Sequence, residues 1–132
     1  MAWADTIAGM CLANGGADLP HPLGEIIGGI CPRIAHGDTL AIVYAEFLKY
    51  KDTIAKEKIA IVSEALSNGG VAIPLLEKVT ELFGKVNLDT ALQRAKITSE
   101  EKELINSHPL LNILEPENSN RIKEIMTKSL ER

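Results

Sequence analysis

The chain has 132 residues, the size of one domain that can bury its own core, and 45% of them are hydrophobic. Its 14 Lys and Arg against 18 Asp and Glu give a formal charge of −4, and no basic stripe is evident. Nucleic acid is therefore not an expected partner. No apolar run approaches the roughly 18 residues of a membrane span, and the first ten residues lack a basic signal region, so we expect no membrane partner and a cytoplasmic location.

The spacing of apolar residues predicts helices along the whole chain and no strand. Gly15 and Gly16 end the first helix, and Thr98 with Glu101 forms a capping-box pattern that opens a later one. His108 and Pro109 close that helix. Turns are expected at 69–70 and 115–118. The predicted helices cover residues 2–14, 20–29, 38–49, 52–66, 74–83, 89–95, 98–106 and 119–130.

Residues 40–48 are apolar on almost every side of their predicted helix, which is typical of an element at the centre of a core. In the next helix, we expect Ala55, Ile59, Val62 and Leu66 to face inward. The fold class is therefore all-α, with six or seven helices packed around residues 40–48 in a single domain, 1–132.

The two cysteines, Cys11 and Cys31, have neither a CxxC spacing nor the density of a disulfide framework. Arg33 is the only basic neighbour that would lower a thiol pKa. We therefore expect both cysteines to be reduced and structural.

Two of the three histidines stand where a loop gives way to a helix. His21 lies between Pro20 and Pro22, and His36 is followed by Gly37. The rigid prolines beside His21 and the glycine after His36 restrict the orientation of both rings. Neutral imidazole is a suitable ligand for Fe²⁺ or Zn²⁺. The alternative is that His21 caps its helix and His36 fills a polar niche, because 14 intervening residues form no local metal motif. The third histidine, His108, is expected to mark a helix boundary.

A resemblance to a known family appears in this part of the chain. Residues 3–16 (WADTIAGMCLANGG), 19–29 (LPHPLGEIIGG) and 35–44 (AHGDTLAIVY) resemble the metal-site segment of the iron-containing alcohol dehydrogenases. The resemblance implies the C-terminal helical domain of that family. It also implies that His21 and His36 are the last two of four metal ligands, with Fe²⁺ or Zn²⁺ as the metal.

The same resemblance indicates what this chain is expected to lack. The other two ligands of the family, an aspartate and a histidine, come from a helix further upstream. The dinucleotide-binding domain lies before that helix, and this chain has no glycine-rich dinucleotide or Walker motif. NAD(P) is therefore expected only with a partner domain, and the chain itself is expected to contain no cofactor-binding residue.

Three carboxylates lie close to the two histidines in sequence. Glu25 occupies a position where the family commonly has a further histidine near the nicotinamide. Because it follows His21 by one helical turn, Glu25 is a third candidate metal ligand. Asp18 and Asp38 have the positions of ordinary helix-entrance carboxylates.

Two functions from different classes are compatible with these residues. The resemblance implies a C-terminal domain or fragment of an iron-containing, metal-dependent alcohol dehydrogenase. Such an oxidoreductase acts on small alcohols or aldehydes with NAD(P), and we expect this chain to be inactive alone and to need a separate dinucleotide-binding chain. The alternative is a non-catalytic helical bundle with a residual metal or small-ligand cleft. An exposed apolar face left by the missing domain would favour a homo-oligomer in either case.

Overall fold

The computed structural model describes residues 2–67 and 73–132, and within these ranges the chain is all-α with no strand. The predicted fold class is confirmed. The described residues form eight α-helices, where six or seven were expected, and two short 3-10 turns at Pro109–Asn112 and Pro116–Asn118. The helices are α1 (Ala2–Gly15), α2 (Pro20–Ile30), α3 (His36–Ile54), α4 (Lys56–Ala65), α5 (Leu75–Lys85), α6 (Ala91–Ala95), α7 (Ser99–Asn106) and α8 (Ser119–Glu131).

The core is built around α3, as its apolar composition predicts. Helices α2 and α8 pack most extensively against it, and α5 and α6 add smaller contacts. Leu23, Ile27 and Val43 are fully buried where α2 meets α3, and Ile122 and Met126 of α8 are fully buried on the other side. Helix α2 is thereby fixed against α3, and these are the two helices that carry His21 and His36.

The predicted helix at 52–66 is divided in two. Helix α3 continues to Ile54, the backbone departs from helical geometry at Ala55, and α4 begins at Lys56. The prediction that Val62 and Leu66 face inward is wrong, since they are 44% and 52% exposed. Helix α4 contacts the body through α3 and α5, so only one of its sides is covered, and Ser63 is its only buried residue. The predicted turn at 69–70 lies outside the described residues.

The first helix forms where it was predicted, but it is not packed into the core. No residue of α1 is buried, and Trp3 and Met10 are 74% and 58% exposed. Helical spacing of apolar residues predicts that one face of the helix packs against another surface. Among the described residues, no such surface buries α1.

The capping box predicted for α7 is present. The Thr98 hydroxyl accepts a hydrogen bond from the Glu101 backbone N–H, and the Glu101 carboxylate accepts one from the Thr98 N–H. Helix α7 ends at Asn106, and Pro109 begins the first 3-10 turn, capped by the ring of His108. Among residues 2–67 and 73–132 no helix is long and apolar enough to cross a lipid bilayer.

Candidate metal centre

His21 is held by the way α2 begins. Pro20 opens the helix, where its missing N–H costs nothing, and the backbone N–H of His21 donates to the carbonyl of Asp18. The Asp18 carboxylate accepts from the Leu19 N–H, and no side chain caps the helix. The ring of His21 is therefore not used as a cap, which removes the structural role proposed for it as an alternative.

His36 is the first residue of α3. Ala35 before it is extended, no side chain caps the helix, and the carbonyl of His36 accepts a hydrogen bond from the buried Thr39 hydroxyl. Its side chain lies at an exposed position. The ring thus neither caps α3 nor fills a buried niche.

The two imidazoles lie side by side. Their ring centroids are 4.9 Å apart, and the rings are inclined by 53°. Two imidazoles bound to one divalent ion, at about 2.0–2.1 Å per nitrogen and bond angles of about 90–110°, have ring centres about 4.5–5.2 Å apart. The separation of His21 and His36 therefore fits a shared metal ion.

The carboxylate of Glu25 contacts Nδ1 of His21. Its Oε1 atom lies 3.2 Å from Nδ1 of the histidine one turn earlier, and the Glu25 side chain is 63% exposed. A carboxylate at Nδ1 holds the proton there and leaves Nε2 as the free lone pair, as in many carboxylate–histidine–metal sites. Among residues 2–67 and 73–132, no three His, Cys, Asp or Glu side chains form a group that could hold a metal ion. The described residues thus bring together two imidazoles, with the Glu25 carboxylate beside one of them.

Comparison with protein families identifies the family of the chain. A family model described as "Fe-containing alcohol dehydrogenase family, C-terminal" matches residues 1–130. The chain belongs to this family. Comparisons with curated proteins and with solved structures give no match. The predicted relationship to the C-terminal domain of the family is confirmed, while the assignment of His21 and His36 as ligands stays a prediction.

In this Fe-containing alcohol dehydrogenase domain the two nearby aspartates are engaged elsewhere. Asp18 forms an ion pair with Lys51 at 2.8 Å, and Asp38 forms one with Arg94 at 2.7 Å. The Arg94 pair joins the start of α3 to α6. Both carboxylates therefore stabilise the entrances of the helices that carry the histidines.

A cleft of about 320 Å³ opens beside His21. Its walls are mostly apolar, and the aromatic ring of Tyr44 packs 5.7 Å from that of Phe47 and 5.9 Å from that of Phe83. Pro20 and Leu40 complete the apolar part, with Asp18 at the edge. A small organic molecule could therefore lie against an apolar surface next to the imidazole pair.

The remaining candidates have other roles. Nδ1 of His108 accepts a hydrogen bond from the Leu110 N–H at 3.3 Å, so that ring caps a 3-10 turn.

Both cysteines are free, as expected, but Cys11 is exposed and thus not a packing residue. Burial, with help from the Glu101 carboxylate, raises the pKa of the Cys31 thiol, although Arg33 opposes this. Arg33, the one basic neighbour considered from the sequence, thus lowers this pKa by less than burial and Glu101 raise it.

Sequence reasoning missed the ion pair between Arg33 and Glu101. Two guanidinium nitrogens of Arg33 bind the two carboxylate oxygens of Glu101 at 2.5 and 2.7 Å, and one of them also donates to the carbonyls of Ala95 and Lys96. The pair ties the loop before His36 to α7. A separation of 68 positions in the sequence hides the pair from any local pattern.

Proposed function

We propose that this domain supplies His21 and His36 as two ligands to the metal ion of an alcohol dehydrogenase. The metal is Fe²⁺ or Zn²⁺, and the reaction is NAD(P)-dependent oxidoreduction of small alcohols or aldehydes. The remaining ligands and the dinucleotide-binding fold would come from a separate polypeptide. The observation that supports this proposal is the 4.9 Å separation of the two rings at the start of two packed helices.

Each residue near the pair has a defined contribution in this proposal. Glu25 holds the proton on Nδ1 of His21, so that Nε2 is presented as an unprotonated donor. The start of α3 presents His36 from an exposed position next to it. The apolar cleft formed by Leu40, Tyr44 and Phe47 would bind the carbon chain of a small alcohol.

When bound, a divalent metal at this site would lower the pKa of an alcohol oxygen and so favour transfer of hydride to a nicotinamide. In this proposal the chain alone does not turn over substrate, because two imidazoles bind a metal weakly and no glycine-rich dinucleotide motif is present. Assays of the purified chain with Fe²⁺ or Zn²⁺, a small alcohol and NAD(P) are expected to show no oxidation. Turnover by this chain alone would contradict the requirement for a partner.

Metal analysis tests the ligand assignment directly. The purified domain, dialysed to equilibrium against Zn²⁺ or Co²⁺, is expected to retain more metal than His21→Ala or His36→Ala. His108→Asn is the matched control, because it removes an imidazole while leaving an acceptor for the cap of the 3-10 turn. Equal retention by all four proteins would contradict the assignment. The visible spectrum of bound Co²⁺ provides an independent readout of nitrogen ligation.

A second function is favoured by the exposure of α1. The domain would then be a non-catalytic helical bundle with a residual metal or small-ligand cleft, and it would self-associate through α1. No residue of α1 is buried, and Ile7 and Leu12 are 44% and 49% exposed in addition to Trp3 and Met10. Such a surface favours contact with another chain.

The two candidates differ in their response to a partner. In the first, a dinucleotide-binding polypeptide that contributes an aspartate and a histidine ligand restores NAD(P)-dependent activity and covers α1. In the second, a homo-oligomer already covers α1, and no added polypeptide gives activity. Light scattering of the purified chain, followed by activity assays with the added polypeptide, distinguishes them.

A further inference from the structure

The cleft beside His21 runs along one face of α3. Its wall on this helix consists of Leu40, Tyr44 and Phe47, which follow one another at helical spacing and so share that face. At a rise of about 1.5 Å per residue, the wall is about 10 Å long. The cleft is therefore elongated, and a linear molecule fits it better than a round one.

Both ends of this face of α3 are joined to the start of α2. One turn before the wall, the ring of His36 lies 4.9 Å from the ring of His21, measured between centroids. One turn after the wall, Lys51 forms an ion pair with Asp18 at 2.8 Å. Because His21 and Asp18 both line the cleft, the imidazole pair marks one end of it and the ion pair marks the other.

The end of the cleft at Lys51 favours an uncharged ligand. The ammonium group of Lys51 is neutralised by Asp18, and its Nζ atom also lies 5.5 Å from the centroid of the Phe47 ring. A charged group on a ligand would have to compete with this ion pair. Leu40 and Tyr44 are half-buried, so their apolar surfaces remain accessible from the cleft. This lining suits an uncharged, apolar tail.

The length of the wall, rather than the volume of the cleft, limits the size of such a tail. The volume of about 320 Å³ is roughly twice that of a cavity of about 150 Å³ that holds a benzene ring. An extended alkyl chain advances about 1.3 Å per carbon atom, so about eight carbons span the wall. A shorter chain leaves part of the wall uncovered, and a longer one meets the ion pair.

We propose that the cleft selects an uncharged primary alcohol or aldehyde with an apolar tail of up to about eight carbon atoms. This inference rests on the function proposed above and names the substrate class for the same site. The oxygen of the ligand lies at the imidazole pair, and the tail lies along Leu40, Tyr44 and Phe47. The ion pair between Asp18 and Lys51 sets the upper limit of its length.

The first test uses the wild-type chain without metal. Titration with the 1-alkanols from 1-butanol to 1-decanol, followed by ¹H–¹⁵N correlation spectra, is expected to shift the amides of His21, Leu40 and Tyr44. Affinity should rise about two- to fourfold for each added methylene group, up to about eight carbons, and then level off. An affinity that does not depend on chain length, or one that still rises at 1-decanol, would overturn the proposal.

The second test removes the end of the cleft. Lys51→Ala lacks the ion pair, and the rise in affinity is expected to continue to 1-decanol, with about a threefold gain or more over 1-octanol. Lys56→Ala is the control, because Lys56 is exposed on α4 and does not line the cleft. An unchanged limit in folded Lys51→Ala would overturn the role of the ion pair.

The two proposals fail in different ways. A protein that retains metal through His21 and His36 but shows no dependence on alkanol length overturns this inference and leaves the proposed function. Equal metal retention by the histidine variants overturns the proposed function, and with it the assignment of the cleft ligand as a substrate. The alkanol series contains no metal, so the two measurements are independent.

Discussion

Gly24 lies directly against Thr39, where α2 crosses α3. A Cβ atom at Gly24 would be 2.9 Å from the hydroxyl oxygen of Thr39 and 2.9 Å from a methyl group of Leu40. The Leu40 side chain can move, but Thr39 is fully buried and donates its hydrogen bond to the carbonyl of His36. The absence of a side chain at Gly24 thus allows the helix of His21 to approach the helix of His36.

We expect Gly24→Ala to lower the free energy of unfolding. The added methyl group costs about 1–3 kcal/mol through displacement of Thr39, which exceeds the gain of about 1 kcal/mol in helix propensity. Gly28→Ala is the matched control in the same helix, because nothing lies within 4 Å of its Cβ position. That variant should be stabilised by about 0.5–1 kcal/mol. Urea denaturation of both variants checks these opposite signs, and a stabilised Gly24→Ala would contradict the close packing.

The role of Glu25 is tested by two substitutions with different chemistry. If Glu25 orients His21 through Nδ1, Glu25→Gln keeps an acceptor there and should lose little metal affinity, whereas Glu25→Ala should lose roughly tenfold or more. If Glu25 is a direct ligand, both variants should lose affinity to a similar extent, because an amide is a poor substitute for a carboxylate. Competition with a chromophoric chelator measures the affinities.

The sequence predicts most of the helices, because these depend on local signals, whereas the approach of the two histidines was expected only from the resemblance to a known family. Proline at Pro20, glycine at Gly37 and the capping box at Thr98 each act within one turn of a helix. The missed ion pair joins residues distant in sequence, because Arg33 and Glu101 are 68 positions apart. Periodicity also cannot tell whether an apolar face has a partner, which is why the exposure of α1 was not predicted.

Stability should depend on pH through Glu101. The Arg33 guanidinium, followed by the Thr98 backbone N–H, lowers the pKa of the Glu101 carboxyl from an ordinary value of 4.5 to about 2. The folded state therefore binds this proton less readily than the unfolded state. The contribution of Glu101 to stability is complete above about pH 4.5 and is lost as the pH falls toward 2.

Glu101→Gln is expected to make the free energy of unfolding less dependent on pH between about 4.5 and 2. At neutral pH the variant is expected to have a lower free energy of unfolding than the wild type. Glu81→Gln is the control, since Glu81 pairs with Lys85 one turn away and its pKa is lowered mainly by that local contact. Denaturation curves at several pH values provide the comparison. A Glu101→Gln protein with the acid dependence of the wild type would contradict the linkage.

The two thiols should react at very different rates. Cys11 is exposed on α1, whereas Cys31 is fully buried and burial raises the pKa of its thiol. Because the thiolate is the reactive form, Ellman's reagent should label one cysteine quickly in the folded protein and the other only on unfolding. Cys11→Ser should abolish the fast phase and Cys31→Ser should leave it. A fast phase that survives Cys11→Ser would contradict the burial of Cys31.

Helix α1 should drive association when the domain is studied alone. A 14-residue helix with no buried residue is marginal in water, and its apolar side chains gain stability only when another surface covers them. Trp3→Ser should therefore raise the dissociation constant of the oligomer, by about tenfold or more, since a tryptophan buries about 150–250 Å² at roughly 25 cal/mol per Å². The free energy of unfolding of the body should stay unchanged, because Trp3 is 74% exposed. Ile113→Ser changes another apolar residue, 64% exposed and far along the chain, and should leave association unaffected. Sedimentation over a range of concentrations compares the three proteins. A wild-type chain that stays monomeric at high concentration would mean that α1 does not mediate contact between copies.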